Sequence, residues 1–341
     1  MTGEAPATRR YEVVVNAGEV RIQRFGPANV LQMAQGRSVL DAPRLAALLH
    51  PVCPTAHAAA ALDAIESAAR IELDETQRAA RELLAIGEAV SGCVWRAALS
   101  LARLVEVEAN VEAVRRARAA AEGLAGAVYS CDWRSLGGAA VRPNMSAVDN
   151  LVGELEGSAA AVATTAERVT AACVDDAFAG ASQIARLGEG VFDPSIEPAG
   201  GAREETPRSF MFAEPEARLA AWFEGQAAYA EFLVGRLREL AAALRVSAPD
   251  RLPPEVSGSG VGVVLTARGR LRHAISIEAG RIEAWAASAP TDWNFAPGGL
   301  AEKGAAELYG AGAARNRYDW LLAAMDPCAP VSLRLGSGGD A

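Results

Sequence analysis

GRSVLDAPRLAALLHPVCPTAHA, residues 36–58, is the stretch of sequence that carries most information about this chain. Asp41, followed closely by a proline, predicts the start of a short helix, because both residues suit a helix N-terminus. Farther along, His50 and His57 lie within four residues of Cys53. Thiolate and imidazole are the usual ligands of zinc, so this cluster taken alone would indicate a metal site. A structural zinc site needs four ligands, however, and one short segment rarely supplies them all.

The composition favours a helical protein with a large core. The chain has 341 residues, 51% of them hydrophobic, with alanine prominent and only 6% aromatic. Alanine is the best helix former, so we expect helices that pack closely through small side chains. The five cysteines are widely spaced, odd in number and free of CxxC pairs, which argues against a disulfide framework. Three of them have a simple interpretation as small buried hydrophobic residues: Cys93, Cys131 and Cys173.

The charge distribution argues against a nucleic acid partner. Lys and Arg total 33 against 42 Asp and Glu, a net charge of −9. Nucleic acid binding would require a basic stripe with interleaved aromatic residues, and the sequence has none. Residues 1–10 are polar and lack the apolar region of a secretory signal. Charged residues interrupt the apolar segments before they reach the roughly 20 residues that span a bilayer. We therefore expect a cytoplasmic protein with no membrane insertion.

Hydrophobic periodicity predicts a mostly α protein with a small antiparallel β portion, an α+β fold. Short strands are predicted at 11–15, 20–24, 262–266, 270–278 and 281–287. Apolar residues at helical spacing predict helices at 28–36, from Asp74 onward, and at 108–128, 146–187 and 215–244. Two short helices are predicted after the last strands, and the second of them ends at Met325. Proline, glycine and charge predict exposed loops at 189–212 and 247–260. With no clean break in composition, we expect a single domain over 1–341.

Four motifs, in order along the chain, resemble those of nickel–iron hydrogenase large subunits. They are the GR…DAP segment leading into Cys53-Pro-Thr-Ala-His57, the GG…RP loop at 137–143, Thr266-Ala-Arg268-Gly with the downstream APTDWNF at 289–295, and Asp326-Pro-Cys328. Each motif alone is weak, but four in order cover nearly the whole chain. The resemblance implies the fold of that family, in which long central helices surround N- and C-terminal motifs that meet in the core.

In that family, four thiolates from the terminal motifs hold nickel and an iron that carries cyanide and carbon monoxide. By motif position, one of the N-terminal cysteines is His50 here, and one of the C-terminal cysteines is Val331. The resemblance implies that Cys53 and Cys328 remain as metal ligands and correspond to the pair that bridges the two metals. We expect transient binding of the iron group and no nickel. Imidazole also binds nickel, which makes His50 a candidate additional ligand.

Further comparison with the family pattern argues against catalysis. The position of the proton-shuttling carboxylate falls near Leu31, and the histidine that closes the C-terminal motif falls on Arg334. Hydrogen splitting releases protons that a positioned base must accept, so the missing carboxylate undercuts that reaction.

Two further residues match family positions close to the iron. Arg268 matches the arginine that donates hydrogen bonds to a cyanide ligand, a role that suits a permanently charged guanidinium. His57 matches a histidine near the carbon monoxide or a bridging cysteine. The simpler alternatives are a surface arginine at a strand end and an ordinary core histidine. His273 on its predicted strand is interpreted as structural, and so are Trp293 and Asn294.

Cys53 and Cys328 are 275 positions apart. Closing such a loop costs about 5 kcal/mol of chain entropy, so only the fold can bring them together.

These features favour a non-catalytic scaffold of the HupK/HoxV type. Such a protein would hold an iron–cyanide–carbonyl group for transfer to the hydrogenase large-subunit precursor, with hydrogenase maturation proteins as further partners. One alternative is a divergent hydrogenase with a mixed Cys/His site, which would oxidise hydrogen without any other large subunit. The other is a metal-free interaction protein in hydrogenase assembly, which would tolerate Cys53→Ala and Cys328→Ala.

Overall fold

The structure, a computed structural model, describes residues 9–16, 19–27, 29–173, 206–207, 211, 219–249 and 256–336. It is mostly helical with two small sheets, which confirms the predicted fold class. The strands are β1 Arg10–Asn16, β2 Glu19–Phe25, β3 Gly258–Thr266, β4 Gly269–Glu278, β5 Arg281–Ser288 and β6 Val331–Leu335. The helices are α1 Ala42–Leu49, α2 Pro54–Ala69, α3 Glu75–Trp95, α4 Ala102–Leu104, α5 Val111–Val128, α6 Met145–Ala172, α7 Leu219–Ala243, α8 Pro290–Asn294, α9 Leu300–Gly310 and α10 Arg315–Met325. A π-helical segment, Arg96–Leu101, continues α3 into α4.

Local sequence explains where the long helices begin. The carboxylate of Asp74 accepts the backbone N–H of Gln77 and caps α3. Asn110 and Asn144 cap α5 and α6 in the same way. The four long helices α3, α5, α6 and α7 pack together, and with α2 they enclose the largest hydrophobic cluster, which is rich in alanine, valine and leucine.

Helix α2 lies unusually close to strand β3 because both contacting surfaces are made of small residues. Seven of the α2 residues between 56 and 64 are buried and apolar, six of them alanines. A Cβ atom added at Gly260 would lie 2.2 Å from the carbonyl oxygen of Ala64, and one at Gly262 would lie 2.2 Å from that of Ala60. These distances are far below van der Waals contact, so the approach requires glycine at both positions. The contact fixes α2 and, with it, the segment that contains Cys53.

The two ends of the described chain meet in one sheet with the order β2-β1-β6. Strands β1 and β2 form the predicted hairpin. Strand β6, which the sequence patterns did not predict, pairs parallel to β1 with Tyr11 opposite Val331. The β portion is therefore not wholly antiparallel. This pairing brings the C-terminal motif, three residues before β6, to the N-terminal part of the molecule.

Several predicted boundaries need correction. Strand β3 begins at Gly258, so the predicted loop 247–260 is wrong at its C-terminal end, because residues 258–260 pair with β4 from Ile277 to Ile275. In place of the predicted helix 28–36, the described residues 29–36 contain a short 3-10 helix, Val30–Ala34, and no α-helix. The predicted loop 189–212 lies outside the described residues except for Thr206 and Pro207, which are buried, and Met211. The predicted helix 146–187 is described as far as Ala172.

One helical stretch among the described residues, Glu75–Leu104, is long and apolar enough by length and composition to cross a bilayer. However, 67% of its most apolar window is buried inside the protein. A core helix meets the same criteria, so the stretch is weak evidence for a membrane span.

Candidate functional site

Cys53 occupies the residue before α2, and the start of that helix is held by a carboxylate on α3. The two carboxylate oxygens of Glu88 accept the backbone N–H groups of Thr55 (2.8 Å) and Ala56 (3.0 Å). A negative side chain is well suited to these unpaired amides at a helix N-terminus. Burial raises the pKa of Glu88, although the two amide hydrogen bonds oppose the shift. Glu88 therefore fixes the backbone next to the Cys53 thiol.

Cys328 is held through a residue of the 289–295 motif. Its backbone N–H donates to Oγ1 of Thr291 at 3.0 Å, and the Thr291 hydroxyl donates to the Cys328 Sγ at 3.2 Å. One hydroxyl can accept and donate at the same time, so the two contacts are compatible. Just before Cys328, Asp326 ends α10 in the left-handed conformation, with φ of 43°. The sequence alone did not identify Thr291 as a site residue, although it lies within the 289–295 motif.

The structure brings the two motif cysteines into electrostatic contact. Burial raises the pKa of Cys53, and the charge of Cys328 raises it further. Burial also raises the pKa of Cys328, while Arg268 lowers the pKa of both thiols. Both groups are thus neutral thiols at neutral pH, beside a fixed positive charge. The expected meeting of the two terminal motifs is found.

Arg268 lies in the tight turn between β3 and β4 and is only 8% exposed, so it is not a surface residue at a strand end. Its Nε donates to the backbone carbonyl of Asp326 at 2.8 Å and lies 3.2 Å from the carboxylate of the same residue. Burial alone would lower the pKa of Arg268, but Asp326 and the two thiols raise it on balance. Arg96, at the start of the π-helical segment, approaches the same carboxylate at 3.7 Å.

The three histidines of the chain form one cluster. The rings of His50 and His57 stack with centroids 3.7 Å apart and planes 5° from parallel. Nδ1 of His57 lies 2.9 Å from Nε2 of His273, and the indole N–H of Trp285 donates to Nδ1 of His273 at 3.1 Å. Burial lowers the pKa of all three histidines, that of His273 to about 3. His273 is buried as expected of a structural residue, but its contact with His57 was not foreseen.

A second network, centred on Asp292, lies near both this cluster and Cys328. Asp292 accepts from Arg9 at 2.5 Å, from the hydroxyl of Tyr11 at 3.2 Å and from the backbone N–H of Ala289 at 2.9 Å. It thereby ties the short helix α8 to strand β1. The positive charge of Arg9 lowers the pKa of both His57 and Cys328, so this arginine lies near both. Neither Arg9 nor Asp292 was predicted as a site residue.

The remaining predicted positions lie as follows. The indole of Trp293 donates to Ser288, and Asn294 is buried, in keeping with packing roles. Cys93 and Cys173 are buried, but Cys131 is exposed, because it lies in the connection after α5 instead of on a packed face. Leu31 is buried in the 3-10 helix, and the guanidinium of Arg334 in β6 pairs with Glu12.

The site combines two thiols with a guanidinium. Within the described ranges, no group of three or more His, Cys, Asp or Glu side chains is arranged to hold a metal ion. Cys53 and Cys328 provide two thiols, and Arg268 provides fixed donors beside them. Soft thiolates suit iron and nickel, and a guanidinium suits a small anionic ligand.

Comparison with curated proteins gives partial sequence matches. No protein-family model matches the chain. Hydrogenase expression/formation protein HupK of Azotobacter vinelandii is 31% identical over 142 residues, which cover 40% of this chain and 42% of that protein. Hydrogenase expression/formation protein HupV of Azotobacter chroococcum is 36% identical over 129 residues, 35% of each chain. The chain thus spans about two fifths or less of the length of the curated relatives it matches.

Comparison with solved structures covers almost the whole chain. The Ni-Fe-Se hydrogenase of Desulfovibrio vulgaris Hildenborough superposes with a TM-score of 0.68 at 13% identity, over 92% of this chain and 94% of that one. The Ni-Fe-Se hydrogenase of Desulfomicrobium baculatum gives 0.67 at 14% identity, over 93% and 95%. Likeness at this identity establishes the fold alone. The chain therefore has the fold of the nickel–iron hydrogenase large subunit and is similar in sequence to hydrogenase expression/formation proteins of the HupK type.

Proposed function

We propose that this protein acts in hydrogenase assembly as a non-catalytic scaffold that holds an iron–cyanide–carbonyl group for transfer to a hydrogenase large subunit. The observation that carries the proposal is the convergence of Cys53, Cys328 and Arg268, two thiols and one guanidinium from distant parts of the chain. The names of the curated relatives, hydrogenase expression/formation proteins, support the assembly role. The iron group is the cargo of this reaction and not a resident cofactor.

The residues fit a cargo that is bound and later released. Because burial raises the pKa of both cysteines, they are neutral thiols before iron binds, and binding of iron must displace their protons. That proton cost lowers the net affinity and makes release easier. Two thiolates also hold the group less firmly than the four of the hydrogenase pattern, and nickel has no thiolates of its own at the motif positions His50 and Val331.

In this proposal Arg268 recognises the diatomic ligands. Its bonds to Asp326 use Nε and fix the plane of the guanidinium. Among the described residues, this leaves its two terminal nitrogens to donate to a cyanide nitrogen, as a fixed donor fork does for small anions. Asp326 therefore orients the guanidinium through Nε and does not occupy the two terminal nitrogens.

The partners would be the large-subunit precursor that receives the group and the maturation proteins that build it. Both belong to the cytoplasm in this proposal. Since a protein without nickel ligands has little need of electron transfer, we expect no iron–sulfur partner subunit.

The test is infrared spectroscopy on the full chain purified after co-expression with the hydrogenase maturation proteins. We expect cyanide and carbonyl stretching bands together with bound iron and little nickel. Cys53→Ser and Cys328→Ser should each abolish the bands, whereas Cys131→Ser, which changes an exposed cysteine, should retain them. Absence of bands from the unsubstituted protein would overturn the iron-carrying role.

A complementation assay separates the scaffold from a metal-free interaction protein. A strain that lacks the native gene should regain hydrogenase activity with the unsubstituted chain or with Cys131→Ser, but not with either motif-cysteine variant. Full rescue by the Cys53→Ser/Cys328→Ser double variant would show that assembly needs the protein but not its thiols.

A further inference from the structure

Trp285, His273, His57 and His50 form a continuous row of rings that begins in the β3–β5 sheet and ends three residues from Cys53. Three of the four are almost completely buried, with exposures of 3% for Trp285, 0% for His273 and 4% for His57. An imidazole in such a place carries its proton on one nitrogen or the other, and the hydrogen bond at each nitrogen decides which. The hydrogen bonds along the row therefore determine which nitrogen of each ring is protonated.

The protonation of the row is set first at Trp285, because an indole nitrogen donates a hydrogen bond and never accepts one. Its N–H points to Nδ1 of His273 at 3.1 Å, so this nitrogen must carry the lone pair. His273 is therefore protonated at Nε2. Burial keeps the second proton off, since it lowers the pKa of His273 to about 3.

The tautomer of His273 in turn determines the tautomer of His57. Its Nε2–H faces Nδ1 of His57 at 2.9 Å, so Nδ1 of His57 must accept. A proton on that nitrogen would place two N–H groups against each other. The single proton of His57 is thus on Nε2, and its Nδ1 is already engaged.

His50 has the opposite arrangement. Its Nδ1 lies 3.0 Å from the backbone carbonyl oxygen of Ala46, which can only accept, so Nδ1 of His50 carries the proton. A neutral imidazole carries one proton, and in His50 that proton is on Nδ1. Nε2 of His50 therefore has a free lone pair. The two imidazoles stack face to face with opposite tautomers.

We propose that Trp285 and His273 are positioning residues that make His57 an obligate hydrogen-bond donor at Nε2, while His50 presents an unprotonated Nε2 beside it. His57 can then donate to a thiolate or an anionic ligand but cannot ligate a metal without losing a proton. His50 can ligate a metal directly. The use of these two nitrogens toward an iron group rests on the proposed function, whereas the tautomers themselves do not.

The experiment is long-range ¹H–¹⁵N correlation NMR on the full, metal-free chain with ¹⁵N-labelled histidine at pH 7.5. The chain has three histidines, so single substitutions assign every signal. We expect His57 with an unprotonated Nδ1 and a protonated Nε2, and His50 with the reverse. Trp285→Phe removes the donor that starts the row and should shift His57 toward a mixture of tautomers. Trp320→Phe, in a different hydrophobic cluster, should leave the pattern unchanged.

A second pair of variants keeps the test decisive if Trp285→Phe does not fold. His273→Gln retains an acceptor for Trp285 and a donor for His57, so it should preserve the His57 tautomer. His273→Leu removes both the acceptor and the donor, so His57 should become a mixture of tautomers. A protonated Nδ1 on His57 in the unsubstituted protein, or a His57 signal identical in His273→Leu and the unsubstituted protein, would overturn the proposal. Because no metal is added, failure here leaves the infrared test unaffected, and failure of that test leaves this one intact.

Discussion

The hydroxyl of Thr291 both accepts a hydrogen bond from the backbone N–H of Cys328 and donates one to its sulfur. The two residues are 37 positions apart, and Thr291 lies in the first turn of helix α8. Since α8 is tied to strand β1 through Asp292, the position of the thiol depends on both the N-terminal strand and the C-terminal motif. A small hydroxyl residue thus sets the orientation of one of the two proposed iron ligands.

Thr291→Val should lower the free energy of unfolding by about 1–3 kcal/mol, because the backbone N–H of Cys328 loses its acceptor in a partly buried place. Thr291→Ser keeps the hydroxyl and should cost much less. Chemical denaturation of the two variants measures the difference. A loss of stability in Thr291→Ser equal to that in Thr291→Val would contradict this, because it would show that the hydroxyl contributes no more than the methyl group.

Glu88→Ala should destabilise the protein by about 0.5–2 kcal/mol, the usual cost of losing a helix N-cap acceptor. Two amides at the start of α2 would lose their partner, and the Cys53 backbone would become less fixed. Faster alkylation of Cys53 by iodoacetamide, followed by mass spectrometry, should accompany the change. Glu108→Ala, at an exposed carboxylate, is the matched control and should alter neither quantity. An unchanged alkylation rate of Cys53 in Glu88→Ala would show that Glu88 does not fix the backbone next to this thiol.

Gly262→Ala should strongly destabilise the fold, by more than about 2 kcal/mol, because its Cβ would collide with the backbone of α2 and no side chain can move away. Gly153→Ala is the control, since nothing lies within 4 Å of its Cβ and the residue is exposed in α6. That change should stabilise the protein by about 0.5–1 kcal/mol through helix propensity. Thermal unfolding of both variants, with a lower midpoint for Gly262→Ala only, is the measurement.

Stability should fall as the pH is lowered from 7 to 5. In the unfolded chain histidine protonates near pH 6.5, whereas the folded protein holds the pKa of His273 at about 3. The unfolded state therefore binds more protons in this window, and stability is present above pH 6.5 and is lost as the pH falls. His273 alone accounts for about 2 kcal/mol between pH 6.5 and 5.

Chemical denaturation of His273→Gln at pH 7 and at pH 5 tests whether His273 causes this loss of stability. The variant cannot titrate at position 273, so its unfolding free energy should depend less on pH than that of the unsubstituted protein. His50 and His57 still contribute in the same direction. A pH dependence as steep as in the unsubstituted protein would contradict the assignment to His273.

Local features of the sequence predicted much of the fold. Helical spacing predicted long helices from Asp74, at 108–128 and at 146–187, and the structure places their starts at the caps Asp74, Asn110 and Asn144. The hairpin of β1 and β2 follows from alternation around a turn. Such signals act over a few residues and can be read without tertiary structure. Strand β6 escaped prediction because five residues carry too little periodicity, and its partner β1 lies about 320 positions away.

The sequence by itself determined the identities and order of the motif residues: Cys53, His57, Arg268 and Cys328, with His50 and Val331 at two of the cysteine positions. Only the tertiary structure decided which of these residues act on one another. The pairing of Thr291 with Cys328, the bond from Arg268 to Asp326 and the row from Trp285 to His57 join residues that are far apart along the chain. Local patterns report backbone conformation, whereas such contacts depend on how packed elements bring side chains together, and that information exists only once the core is formed.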